Sequence, residues 1–267
     1  MHFRTSQLLF AVTMLAIGVI GLVTGTFAPI WGGVPKALSD RQLLAYLCTF
    51  VALACGAGLL SKRTASPASI VLLIYLLVWT ALFKVPFIIH APLVEGSYQS
   101  TGENLVLVAA AWVLYAEGSR RQNFPSGKPG LRTSYLLYGF ALIAFGFSHF
   151  VYLNLTAPLV PHWLPKPLFW ADLTGAIYLV TGIALVTGFQ ARAGAILAAV
   201  QIALITLLVW GPVIVRGNVD QGSFEESVVS WALTAGALVI AASFESRALV
   251  NDSEIEPAAK RVAAEGA

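Results

Sequence analysis

The sequence predicts an all-α, polytopic membrane protein with eight transmembrane helices arranged as two parallel-related four-helix bundles. Three observations lead there. Of the 267 residues, 58% are hydrophobic and only 11% are charged, under half the roughly 25% charged residues of a soluble domain. Apolar runs near 7–28, 42–61, 68–90, 98–118, 134–155, 168–190, 193–214 and 226–244 each approach the ~20 residues that span a bilayer core as helix. The chain also matches itself at an offset of nearly half its length, as described below.

In lipid every backbone amide must be paired within the chain, so these runs must be helices. The first, "MHFRTSQLLFAVTMLAIGVIGLVTGTFAP", imitates a signal peptide, with Arg4 ahead of an apolar core. Its uncharged stretch from Thr5 to Pro35 is too long for that, and Pro29 follows Ala28 where a cleavage site would be sought. A retained helix is expected. In the second run Cys48 and Cys55 are about 10 Å apart along a helix, beyond disulfide reach, and serve as packing residues. The third run carries Lys84, Pro86 and His90. The fourth has only the stretch from Asn104 to Ala116 between Glu103 and Glu117, so these carboxylates must reach the interfaces or line the bundle. Residues 1–118 form the first unit and 119–132 a cytoplasmic linker rich in Gly, Pro and basic residues. A second unit follows at 133–246, and 247–267 is a polar, disordered cytoplasmic tail.

Loop charges set orientation. With eight spans, the side holding the termini carries Arg4, Lys62, Arg63, Arg120, Arg121, Lys128, Arg132, Arg192, Arg247, Lys260 and Arg261. The opposite side carries only Lys36, Arg41, Lys166 and Arg216. A multi-pass protein of the inner (plasma) membrane with both termini cytoplasmic is predicted.

The internal match pairs Pro35-Lys36 with Pro165-Lys166 (offset 130), Gly18 with Gly146 (128), Gly56 with Gly182 and Pro86 with Pro212 (126), and Glu103 with Glu226 (123). Four helices per unit is an even number, so the copies share one orientation about an axis along the membrane normal, unlike inverted repeats. Pro86 and Pro212 should kink their helices near the outer end. Trp31, Trp163, Trp170 and Tyr98 are expected at the outer interface.

The unusual polar groups converge on that same side. His149 lies about 22 Å along the fifth helix and Asp172 about 6 Å below the start of the sixth. A buried ionisable group in a membrane points to function through a named partner. Asp172 is expected to face His149 and hold its tautomer, in a pocket beneath the loop from Pro158 to Pro167. The bland alternative is that His149 bonds a Ser or a backbone carbonyl and only ties helices together. Lys84, His90, Tyr152, His162, Trp163 and Glu226 complete the candidate ligand site. Lys84 could equally snorkel to the headgroups, and Glu103, Glu225 and Glu226 could be acids in first helical turns.

Net charge +3 without a basic, aromatic-interleaved patch argues against nucleic acid. Haem needs two histidines at matched depth, and only His149 is clearly inside a span. A zinc or copper site from His90, His149, His162 and Asp172 lacks a short ligand spacing, so no metal is expected. No phosphate loop, HExxH or nucleophile elbow occurs.

"GFSHF", followed by "LVPHWLPKPLFWADLTGAIYLVTGIALVTGFQARAGAILAAVQIALI", resembles the DoxX-like family of small membrane proteins. The resemblance rests on Gly146, His149-Phe150, Val160-Pro161, Leu164-Pro165, Gly175, Gly182 and Arg192, and covers Tyr135 to Val215. It implies a four-helix unit. Here there are two, and in the first Gly21 falls where the second has His149. Some DoxX-like proteins are linked to quinone-coupled sulfur oxidation or redox homeostasis. That implies a redox- or quinone-linked accessory protein binding a small amphipathic ligand, a quinone or lipid. The rivals are a small-solute or proton transporter and a membrane assembly factor that binds a protein partner through its outer loops.

Overall fold

The computed structural model describes residues 2–265 apart from Arg120 and Asn218, with side chains as far as Glu245. The tail expected from 247 lies beyond those side chains. The described residues are mostly helical and contain no strand. Its helices are α1 (Phe3–Thr24), α2 (Arg41–Leu60), α3 (Ala65–Trp79), α4 (Val85–His90), α5 (Glu95–Gly118), α6 (Gly127–Val151), α7 (Leu153–Thr156), α8 (Pro167–Thr187), α9 (Ala191–Ile205), α10 (Gly211–Val215) and α11 (Gln221–Glu265). Seven stretches are long and apolar enough to cross a membrane, with α3–α4 and α9–α10 each counting as one.

The eighth expected span, α5, is long enough but carries Glu95, Glu103 and Glu117, which hold its hydropathy down. It is nonetheless heavily enclosed: Val106, Val108, Ala109, Ala110, Ala111 and Val113 are all fully buried. The apolar residues of α5 meet protein on every side, and it packs on α3, α6 and α11. The remaining neighbours are α1 on α2 and α11, α2 on α3, α6 on α8, α8 on α9 and α9 on α11.

Close approach is set by small residues. Gly56 lies against α1, where a Cβ would meet Leu15 N at 2.9 Å and Ala11 O at 3.0 Å. Gly182 lies against α6, where a Cβ would meet Gly139 O at 2.8 Å and Ile143 N at 3.0 Å. With no hydrophobic force between helices in lipid, such backbone-to-backbone packing is a main source of association. Arginines fasten the same helix pairs at their ends. Arg4 Nη2 donates to Leu60 O, and Arg132 Nη1 and Nη2 donate to Leu185 O (2.9 Å) and Val186 O.

The expected proline kinks take a specific form. A π-helical turn, Thr80–Lys84, joins α3 to α4, and another, Thr206–Trp210, joins α9 to α10. In each, an amide reaches back five residues, Val85 to Thr80 and Gly211 to Thr206, directly before Pro86 and Pro212. A proline ring clashes with the carbonyl four residues earlier, and a widened turn moves that carbonyl aside. Between α5 and α6, Trp112 Nε1 donates to Pro125 O at 2.8 Å, and α6 starts at Gly127, so the linker is shorter than the predicted 119–132.

Candidate functional site: a cleft between α5, α6, α8, α9 and α11

A cleft of about 440 Å³ opens where α6 ends and α8 and α11 begin. Leu159, Val160, Pro161 and Leu164 from the loop between α7 and α8 roof it. Its walls are mostly apolar, with Phe145, Ile177, Leu204, Leu208, Val229 and Leu233 among them. Its polar lining includes Gln99 and Glu103 on α5, Ser148 and His149 on α6, Thr156 on α7, Thr174 and Tyr178 on α8, Gln201 on α9, and Glu226 with Ser230 on α11.

His149 sits in the last turn of α6. Its Nδ1 lies 2.9 Å from Phe145 O, and a carbonyl only accepts, so Nδ1 carries the hydrogen. The imidazole packs 5.3 Å from the Tyr178 ring. It has room because α8 presents Gly175 there: a Cβ on Gly175 would come 2.9 Å from His149 Cβ. Gln201, 8% exposed, ties α9 to α8 through Nε2 to Thr174 O at 3.1 Å. At the cleft floor Thr206 Oγ1 contacts Ser230 Oγ and Thr234 Oγ1, each at 2.7 Å, fastening the second π turn to α11.

Behind the cleft, Lys84 is 2% exposed and donates to Ser100 Oγ at 2.7 Å. Glu103 lies about one turn beyond Ser100 on α5. Gln99 Nε2 reaches Glu103 Oε1 at 3.5 Å. Ser148 Oγ donates to Glu95 Oε1 and, at 3.1 Å, contacts Ala144 O.

The predicted pair of His149 and Asp172 does not form. Asp172 is exposed and lies outside the cleft, and no hydrogen bond or ion pair joins it to His149. The difference is one of azimuth. The face of α8 turned inward carries Ala171, Gly175, Tyr178 and Gly182, and Asp172 is rotated about 100° from Ala171 at 3.6 residues per turn. His149 instead bonds a backbone carbonyl of its own helix, so this bond does not tie helices together as the bland alternative expected. Lys84 does not snorkel; it is buried beside Ser100. His90 is exposed, its Nδ1 2.7 Å from Pro86 O. His162 and Trp163 are exposed on the roofing loop, outside the cleft lining. The Tyr152 hydroxyl accepts from Gly96 N–H at 3.3 Å and also lies outside. Trp31 is buried at 1% exposure rather than placed at an interface, and stacks edge-on to Tyr75 and Trp79.

The structure thus gathers His149 and Glu226 from the expected set, with Lys84 behind them. Glu103, expected as an acid in a first helical turn, lies inside α5, whose first turn instead holds Glu95. Gln201 was missed, although an amide inside "AAVQIALI" was the available signal. Among the described residues, no three His, Cys, Asp or Glu side chains come together as a metal would need. Compared with known proteins, the chain matches no family model, no curated protein and no solved structure.

Proposed function

We propose that this chain is a DoxX-like integral membrane protein that holds a small amphipathic ligand in the cleft and serves a redox- or quinone-linked system of the inner membrane. The observation that carries the reading is an apolar-walled cleft of about 440 Å³ with His149, Gln201, Glu103 and Glu226 among its lining. Concave, largely apolar sites with a few convergent polar groups are what small amphiphiles require. The glycine seam between α6 and α8, closed at Gly139 and Gly182, argues against a solute path along that seam and so against the transporter reading.

We also infer eight spans in two four-helix units of the same orientation, α5 being the fourth, with both termini cytoplasmic and the cleft mouth outside. Matched contacts support the units. Arg4 to Leu60 parallels Arg132 to Val186. Gly56 against Ala11 and Leu15 parallels Gly182 against Gly139 and Ile143. Gly18 against Leu53 parallels Gly146 against Leu179. All of these place α6 at offset 128 from α1 and α8 at 126 from α2. The π turns, starting at Thr80 and Thr206, are also 126 apart. The bonds Asn104 to Thr80 and Thr206 to Ser230 set α11 at 126 from α5, so Glu226 corresponds to Ser100 rather than to Glu103. In the loops, the left-handed residues Asp40 and Lys166 likewise correspond at 126, not at the 130 of the Pro-Lys match.

Native mass spectrometry tests the binding reading. A small molecule should co-purify with the wild-type protein and be lost from Ile205→Trp, which fills the cleft wall. A protein that carries nothing, and gains nothing from added amphiphiles, would overturn it.

A further inference from the structure

Among the described residues, the buried side-chain polar atom of the cleft lining that lacks a partner is an acceptor. Gln201 is more than nine-tenths buried and lines the cleft, and its Oε1 has no hydrogen-bond partner. The Tyr178 hydroxyl lies beside this amide, yet makes no bond to Oε1. Because His149 Nδ1 is bonded to Phe145 O, Nε2 of the neutral ring is a lone-pair acceptor. The Glu103 and Glu226 carboxyl groups each add at least one accepting oxygen. Three of the donors in the cleft lining are already engaged. Thr174 Oγ1 bonds Trp170 O at 2.8 Å, Trp170 Nε1 bonds Pro165 O at 2.9 Å, and Gln201 Nε2 bonds Thr174 O. A buried acceptor left without a donor is unfavourable, and a ligand that supplies one relieves it.

We propose that the ligand is an amphiphile whose head donates hydrogen bonds, a hydroxyl or an ammonium group on a hydrocarbon body, received by Gln201 Oε1, His149 Nε2 and the carboxylates of Glu103 and Glu226. This rests on the ligand-binding reading above and sharpens it, because a head that only accepts would leave the buried Gln201 Oε1 without a donor.

The test uses the full chain in lipid nanodiscs, with empty nanodiscs subtracting membrane partition. Three probes share a decyl tail: decylamine, decylhydroquinone kept reduced, and decylbenzoquinone. One or both donor-headed probes should bind roughly tenfold or more tighter than the quinone, the factor a buried hydrogen bond supplies. Preference for the amine, weakened by Glu226→Gln, identifies an ammonium head; preference for the hydroquinone identifies a hydroxyl head. Gln201→Leu should narrow the gap between donor and acceptor probes several-fold. If that variant does not fold, the wild-type ranking decides alone. Quinone binding equal to or tighter than both donors overturns the inference while leaving a ligand cleft in place. No binding by any probe overturns the binding reading itself.

Discussion

Residues 65–90 and 191–215 follow one course, an α-helix, a π-helical turn and a short proline-led helix, yet the first is sealed and the second is open. In the first, Trp79 is 2% exposed and packs on Trp31 at 5.2 Å, Phe83 at 4.4 Å and Phe27 at 6.1 Å. Tyr75 crosses to Cys48 Sγ at 2.9 Å. The positions 126 residues on are Ile205 for Trp79, Val209 for Phe83, Gln201 for Tyr75 and Thr174 for Cys48. Gln201 still bonds across to residue 174, but the indole is gone and Ile205 and Val209 line a cleft. A shared backbone course therefore does not make a site; side-chain volume at a few positions decides between a plug and a cavity.

The largest expected effect breaks this comparison most directly. Trp79→Ala should lower stability by about 3–5 kcal/mol, as for other large aromatic deletions from a core. Trp210→Ala removes a half-buried side chain at the rim of a cleft that is already open, and should change stability by less than ~1 kcal/mol. Denaturant titration in detergent measures both. Similar losses would mean that the second half is as tightly filled as the first.

Where the halves pack alike, they should fail alike. Gly56→Ala and Gly182→Ala each drive a methyl into backbone about 2.9 Å or less away, and each should cost roughly 1–3 kcal/mol. Unequal melting shifts for the two would break the matched-unit reading.

A smaller effect concerns a reversal between the halves. At the seam of α1 and α2, Gly21 on α1 faces Thr49 on α2; at the seam of α6 and α8, His149 on α6 faces Gly175 on α8. The small residue changes sides. Gly175→Thr alone should destabilise, and adding His149→Gly should recover part of the loss, with a coupling on the order of 1 kcal/mol in a double-mutant cycle. Additive losses would show that the two positions do not share space.

The smallest effect lies at the start of α11. Asp220 caps it, with Ser223 N–H at 3.0 Å from Oδ1 and Ser223 Oγ at 2.7 Å from Oδ2, whereas Val94 before α5 offers no side-chain cap. The Ser223 bonds hold the Asp220 carboxyl below its usual value. A depressed acid adds stability above its unfolded pKa and loses that stability as pH falls through the folded one. Asp220→Asn should therefore flatten a slight loss of melting temperature below about pH 4 and change little at neutral pH.

The sequence by itself determined the helices, because an apolar run of membrane length has no alternative way to pair its backbone. It also exposed the matched glycines and prolines, since only those residues permit close approach or force a widened turn. Position along each helix followed from 1.5 Å per residue, and His149 and Glu226 both line the roofed cleft. Azimuth did not follow. Asp172 and Ala171 differ by one residue and by the face of α8 they occupy, and only the packing of α8 on α6 through its small residues fixes which one points inward. Likewise Lys84 and Trp31 were apt for an interface on composition, and tertiary contacts with Ser100, Tyr75 and Trp79 buried them. The cleft was the least visible feature, because a cavity is the volume left over when five helices meet, and no single run of sequence carries that difference.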